Sequence, residues 1–462
     1  MWRSVCYWGV LSGWWLAMSV AVRSEGTLTL VGVGRVDVTP THRIRLSGYV
    51  ARTEPSAGVS QPLFARALAL GSDVDGAVIV TVDNCAIPAV LTDELARRLE
   101  RQVGLTRQRL SVACTHTHTG PVLAGAIPNM FATNLPPEQV EIIKSYTRFL
   151  VDQLEVVALQ AWQRRQPARL EWGQGQVDFA KNRRTPDGPV DHDVPVLRAV
   201  LPNGRCLGVL LNYACHCTSI DSGINRFHGD WAGTAARTLE ENHPEAVALV
   251  AIGCGADSNP TPRGTSELAE LHGRELAMEV ERVMSLPMRP IHQGPSCRLK
   301  KIGLPYETHF SRAEWVERSQ QPGIVGYHAR RWLARLETGE KSAEFLDYPV
   351  QTWVFGDDLA MVFLGGEVVV DYSLRLKREL NGARLWVNGY ANDVPCYIPS
   401  RRILSEGGYE AETSLWYYDR PQRLAPAIED LIIQTVLELL PSSYRVTPKE
   451  AALPRPGLPP KR

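Results

Sequence analysis

Two histidine-bearing turns in this sequence share a layout. Cys114-Thr115-His116-Thr117-His118-Thr119-Gly120-Pro121 sets two imidazoles directly after an apolar run, Leu110 to Cys114, at a bend that Gly120-Pro121 forces. Cys215-His216-Cys217-Thr218-Ser219 follows the apolar run Leu207 to Ala214 in the same manner. A third run, Ala246 to Ile252, breaks into Gly253-Cys254-Gly255-Ala256-Asp257-Ser258-Asn259-Pro260, which presents Asp257 and Ser258, and a fourth closes in Leu364-Gly365-Gly366-Glu367. Taken singly, each has an ordinary structural reading: a hydrogen-bonded histidine, or an acid opening a helix. Taken together, imidazoles and a carboxylate around one open position are the donor set of a catalytic zinc site, where bound water reaches a pKa of about 7.

Other chemistries fit less well. Cys114, Cys215, Cys217 and Cys254 flank the same turns, but no Cys-x-x-Cys pair occurs, so a structural zinc site of the usual spacing is not expected. Cys215 and Cys217 share a side of an extended chain opposite His216; they read as packing residues, with a disulfide to Cys254 or Cys114 as the minor alternative. Several buried free thiols are expected. Ser258 lacks the Gly-x-Ser-x-Gly elbow of a serine hydrolase. Neither a phosphate-cradling Gly-x-x-x-x-Gly-Lys loop nor a dinucleotide fingerprint follows any strand candidate.

The elements that must carry these turns alternate in type. Thr27 to Val38 reads as a strand pair; Leu63 to Leu70, Ala77 to Val82 and Leu110 to Cys114 read as strands, with a helix over Leu91 to Gln102. A long amphipathic helix starts after Pro136-Pro137 and runs towards Ala161. Further helices are expected around Thr234 to Glu241, Glu267 to Met284, Arg312 to Gln320, His328 to Glu337, Val368 to Leu380 and Ala425 to Leu440. Val350 to Phe355 and Ala360 to Leu364 read as strands, and Pro287 to Ser296 as a connection. The class is α/β, a mixed β-sheet core flanked by helices. Residues 27–440 form the domain, and the proline- and base-rich 441–462 stretch reads as a tail that is disordered after Tyr444.

Arg3, the apolar run Val5 to Val20 and Ser19-Val20-Ala21 read as a signal peptide over residues 1–21, with an uncleaved anchor as the alternative. The expected location is secreted, periplasmic or cell-surface. Lysine plus arginine balance aspartate plus glutamate at 50 each, so no global field favours nucleic acid.

With these turns in view, the chain resembles the neutral and alkaline non-lysosomal ceramidases, especially ceramidase-like proteins that consist of the catalytic domain alone. The resemblance runs from about Val31 to Leu440 and rests on Gly34-Arg35-Val36-Asp37-Val38-Thr39-Pro40, Leu63-Phe64-Ala65-Arg66-Ala67 and the His116-Thr117-His118 turn. It implies a ceramidase-catalytic-domain fold and a Zn2+ held by His116, His216, Glu367 and Tyr397, the last in Cys396-Tyr397-Ile398-Pro399-Ser400. It assigns Arg183, in Asn182-Arg183-Arg184, and Tyr409, in Gly407-Gly408-Tyr409-Glu410, to the substrate carbonyl. His118 is placed beside the metal, where it orients water or substrate.

The departure lies at the serine turn. Ceramidases carry Gly-Asp-Val-Ser-Pro-Asn, so matching the aspartates sets Asn259 at the family's serine, whereas matching by Ser258 shifts the turn by one residue. The implied reaction is hydrolysis of an amide in a small N-acyl or lipid substrate, with His118, Asp257 and Ser258 as the catalytic candidates and His118 or Asp257 as the general acid. Transient contact with a membrane surface would accompany a lipid substrate. The rival expectation is a non-catalytic extracellular binding protein on the same fold.

Overall fold

The computed structural model describes residues 27–446 together with Trp2. The expected signal peptide and the tail beyond Val446 lie outside the described residues. The larger sheet runs, in spatial order, Leu110–Cys114, Ala77–Val82, Phe64–Leu70, Leu28–Asp37, Gln166–Gln176, Asp193–Val200, Cys206–Tyr213 and Val247–Ile252, and the short Arg289–Ile291 also pairs with Gln166–Gln176. Its two edge pairs are parallel, and helices Ala89–Val103 and Asp230–Asn242 supply the crossovers that parallel pairing requires. Every other neighbouring pair is antiparallel.

The strand pair expected over Thr27 to Val38 is a single strand, Leu28–Asp37. Its glycines serve close approach rather than a turn: a Cβ at Gly32 would come within 2.0 Å of the Ala161 carbonyl oxygen on helix Pro137–Gln163. The expected connection at Pro287 to Ser296 contains the added strand Arg289–Ile291.

A second sheet is built from Ser296–Pro305, Phe345–Phe355 and Leu359–Leu364 in antiparallel order, with Leu385–Asn388 parallel to Leu359–Leu364. Period-two alternation sends Leu68, Ile79, Leu210 and Leu249 from the first sheet against Trp353, Met361, Phe363 and Trp386 from the second. Each such side chain contributes roughly 1.5–3 kcal/mol by leaving water. Helix Pro137–Gln163 covers the outer face of the first sheet, and Ile428–Leu439 packs on the second. The α/β class is thus realised as two mixed-in sheets between helical layers.

Segment Gly389 to Asn392 ties the opposite edges of the larger sheet together. The Gly389 N–H donates to the Ile252 carbonyl at 2.9 Å, the Tyr390 carbonyl accepts from Cys114 at 3.3 Å, and the Asn392 N–H donates to Val112 at 2.6 Å. The ends of the first and eighth strands of the sheet therefore open onto one region. All eight described cysteines are free thiols, six of them buried, as packing predicted. No described helix is long and apolar enough to cross a membrane.

Candidate metal centre

His116 follows strand Leu110–Cys114 with a left-handed backbone (φ 56°), a conformation that costs a non-glycine residue energy and persists only where its surroundings enforce it. The enforcement is visible: the Thr117 and Thr119 hydroxyls both donate to the His228 carbonyl, at 2.8 and 2.6 Å. His216 follows Cys206–Tyr213. Its carbonyl accepts from the Trp231 indole at 2.8 Å, while Asp230 accepts the N–H groups of Ser219 and Ile220. Glu367 and Tyr397 are direct register partners in a two-stranded parallel ladder, Glu367–Val368 with Tyr397–Ile398. Gly366 (φ 83°) makes the turn into that ladder, and a Cβ there would meet the Cys396 carbonyl oxygen at 2.7 Å.

These elements bring four donor atoms together, all on buried residues. Glu367 Oε2 lies 3.2 Å from His116 Nε2 and 3.1 Å from His216 Nε2, and the Tyr397 hydroxyl lies 3.3 Å from His216 Nε2. His116, His216 and Glu367 could hold a metal ion together. The outer nitrogens fit that purpose: His116 Nδ1–H donates to the Cys85 carbonyl at 2.6 Å and His216 Nδ1–H to the Gly255 carbonyl at 2.9 Å. Each bond fixes the tautomer that turns the Nε2 lone pair inward, as metal-binding histidines require. The Tyr418 hydroxyl donates to Glu367 Oε1 and orients the carboxylate.

Electrostatics agree with a centre built for a cation. Burial pushes the His216 imidazole down to about 4, assisted by the Arg183 charge. Burial opposes charge on His116 too and is the largest single influence, but the Glu367 carboxylate together with Cys85 and Cys114 raises that imidazole. The same partners overcome the burial of Glu367 and hold it well below the usual carboxylate range.

The cluster floors a cleft of about 940 Å³. His118 lines it, with Nε2 3.1 Å from His116 Nε2 and its ring edge-on to Tyr49. Arg183 donates to the Tyr397 hydroxyl at 3.1 Å and to Glu410 at 2.8 Å, and its guanidinium sits 5.6 Å from the ring centres of both Tyr397 and Tyr409. Tyr409 is 45% exposed and also lines the cleft.

Asp257 and Ser258 are placed differently from the other candidates: neither lines the cleft, and both are fully buried. The reason is strand alternation. Ser258–Pro260 pairs with Ala180–Asn182, so Ser258 and Pro260 face inward and Asn259 faces the cleft. Asp257, pushed up to about 6 by burial, accepts from the Val370 N–H at 2.9 Å and from Asn182 at 3.3 Å, and its carbonyl accepts from the Arg183 N–H at 2.8 Å. The Ser258 carbonyl accepts from the His216 N–H at 3.0 Å, while its hydroxyl has no partner among the described residues. This turn positions His216 and Arg183 rather than presenting a hydroxyl. Asn259, not Ser258, is the side chain of this turn that faces the cleft.

Sequence reasoning missed Tyr418, Glu410 and Cys85. Cys85 Sγ lies 3.8 Å from His116 Nδ1. Asp83-Asn84 at the end of strand Ala77–Val82 was the available signal, because that strand is the parallel neighbour of the one carrying His116.

Fold and cluster define an α/β protein with a candidate metal centre at converging strand ends. Residues 29–256 match the sequence model of the family described as neutral/alkaline non-lysosomal ceramidase, N-terminal. Neutral ceramidase B of Dictyostelium discoideum is 25% identical over 240 residues, which are 48% of this chain and 33% of that protein. The neutral ceramidase of Drosophila melanogaster is 25% identical over 231 residues, 46% of this chain and 32% of that one. The matches span about a third of the length of these curated relatives. Among solved structures, a ceramidase complexed with C2 superposes with a TM-score of 0.70 at 17% identity, covering 92% of this chain and 78% of that chain. A neutral ceramidase from Pseudomonas aeruginosa gives 0.69 at 18%, over 92% and 76%. The chain is thus a relative of the neutral/alkaline non-lysosomal ceramidases, as its motifs imply, and it shares their fold.

Proposed function

We propose that this protein is an exported, zinc-dependent amide hydrolase acting on N-acyl compounds. The observation that carries the reading is the convergence of His116 Nε2, His216 Nε2, Glu367 Oε2 and the Tyr397 hydroxyl, with both Nδ1–H groups committed to backbone carbonyls. This mixed nitrogen and oxygen set suits Zn2+. Bound there, zinc supplies Lewis acidity near neutral pH, the chemistry that makes water nucleophilic and an acyl carbonyl electrophilic.

The protein's own groups do the rest. Arg183, held by Glu410, and Tyr409 present donors to the carbonyl oxygen as negative charge develops on it. Water adds its oxygen to the acyl carbon, the carbon–nitrogen bond breaks, and a proton passes to the leaving amine. His118 Nε2 carries that proton, because His118 lines the cleft and Asp257 is sealed beneath it. Val50, Ile127 and Met130 give the cleft an apolar side suited to an acyl chain, and transient contact with a membrane surface would deliver a lipid.

The test is turnover of N-acyl sphingosine and short N-acyl amines by the zinc-loaded protein. Hydrolysis abolished by chelation and by His216→Ala is the expected result. Saturable binding of these compounds without turnover of any would replace the enzyme with a binding protein, a reading to which Asn259 in the cleft lends its one specific support.

A further inference from the structure

Three carboxylates and three guanidinium groups line the cleft, but their pairing leaves one cation over. Among its carboxylates, Glu367 faces the two imidazoles, Glu410 pairs with Arg183 and Arg184, and Glu406 pairs with Arg184 and Arg402. Among its guanidinium groups, Arg183 and Arg184 are thereby matched. Arg263 lines the same cleft, is exposed, and forms no ion pair with any described residue. Its charge acts near the centre: burial raises the Tyr49 hydroxyl to about 12 and Arg263 is the main opposing influence, and the Tyr49 ring packs on His118 at 4.8 Å.

Other polar side chains that line the same cleft offer donors. Asn259 Oδ1 accepts from the Thr218 hydroxyl at 3.4 Å, which leaves the Asn259 amide N–H groups as its outward function. Beneath Tyr49, 4.8 Å from its ring centre, the buried Arg52 guanidinium donates only to backbone carbonyls, those of Ser47, His118, Asp221 and Ile224. The nearby acid Asp230 is committed to backbone N–H groups, and Asp221 accepts from the Gly223 N–H. A neutral amine half would leave the Arg263 charge unanswered, whereas a carboxylate would meet a planar fork of donors and the Asn259 amide.

We infer that Arg263 and Asn259 form a carboxylate subsite, so that the preferred substrates are N-acyl amino acids: an acyl chain along Val50, Ile127 and Met130, the scissile amide over the metal centre, and the amino-acid carboxylate on Arg263. This rests on the hydrolase reading above and specifies its substrate class.

The experiment compares N-dodecanoylglycine with neutral N-dodecanoylethanolamine on the zinc-loaded protein, wild type and Arg263→Gln. The expected kcat/KM ratio favours the glycine conjugate by roughly tenfold or more, chiefly through KM, and falls towards unity in Arg263→Gln. Asn259→Ala lowers the ratio part of the way. Equal kcat/KM for the two substrates, or a preference that survives in Arg263→Gln, overturns the subsite. If neither compound is hydrolysed, the hydrolase reading fails separately and the subsite is judged by calorimetric dissociation constants for the same pair. Tighter binding of the glycine conjugate, lost in Arg263→Gln, then supports it, and equal constants overturn it.

Discussion

Histidines are buried in several regions of this molecule, and two of those regions do it to opposite ends. At the cleft floor, His116 and His216 each give Nδ1–H to a backbone carbonyl and turn Nε2 towards a carboxylate and a phenol. In the helical hairpin Arg312–Ser319 and Gly323–Glu337, His328 also ties one nitrogen to a carbonyl, Nε2 to Arg420 at 2.9 Å. Its ring is surrounded by aromatic surface instead, with Trp416, Trp315 and Trp332 at 4.9, 5.5 and 6.3 Å between ring centres. The first nitrogen is satisfied alike in both places. What the second nitrogen faces separates a candidate ligand from a packing residue: converging polar donors in one case, indole rings in the other.

The largest expected effects test that separation directly. His216→Ala and Glu367→Ala should reduce zinc from about one per chain to near none and lower amide turnover by on the order of a thousandfold or more, whereas His328→Gln should leave metal content and kcat at wild-type levels. Elemental analysis with steady-state kinetics reads both. Metal lost from His328→Gln as readily as from His216→Ala would erase the distinction. A smaller effect sharpens it, since Tyr418→Phe removes the hydroxyl that orients Glu367 Oε1 but none of the four donors. Zinc affinity should fall by about 10- to 100-fold, measured by competition with a chromophoric chelator, while the apolar core keeps the fold intact. An unchanged affinity would mean that the Glu367–Tyr397 ladder alone sets the carboxylate.

How much of this could be read from residues differs between the two regions for physical reasons. His116, His216 and Glu367 announce themselves because each terminates a continuous apolar run, and a polar group at the end of a buried strand has few ordinary uses. Strands Gln166–Gln176 and Asp193–Val200 carried no such mark: Arg169, Glu171 and Arg198 interrupt them, and Arg198 pairs with Glu171 across the ladder. Nor did periodicity disclose the second sheet, since a buried strand reads alike in either layer. The turn Asp257-Ser258-Asn259-Pro260 was legible as important but not as to which side chain reaches the cleft, because a one-residue shift in a strand exchanges its faces. Tyr397, Arg183 and Tyr409 came from family resemblance alone; short strands and a π-helical turn hold two of them, and neither leaves a periodic signature.

The smallest expected effect concerns the other histidine and follows from proton linkage. Burial drives the His328 imidazole down to about 3, with the Asp419 charge opposing only in part. In the unfolded chain it titrates near 6.5, so between those values the unfolded state binds the extra proton and the fold loses stability as the pH falls. The loss is roughly 2.5–3 kcal/mol by pH 4.5. His328→Phe lacks that proton site but also lacks the hydrogen bond to the Arg420 carbonyl, worth about 1 kcal/mol. The variant should therefore be the less stable protein at pH 7 and the more stable one at pH 4.5. Urea unfolding of the metal-free forms at both pH values separates this effect from acid release of zinc. Stability curves that stay parallel would mean that His328 already takes up its proton in the folded state, and that its indole cage admits a charge the packing argues against.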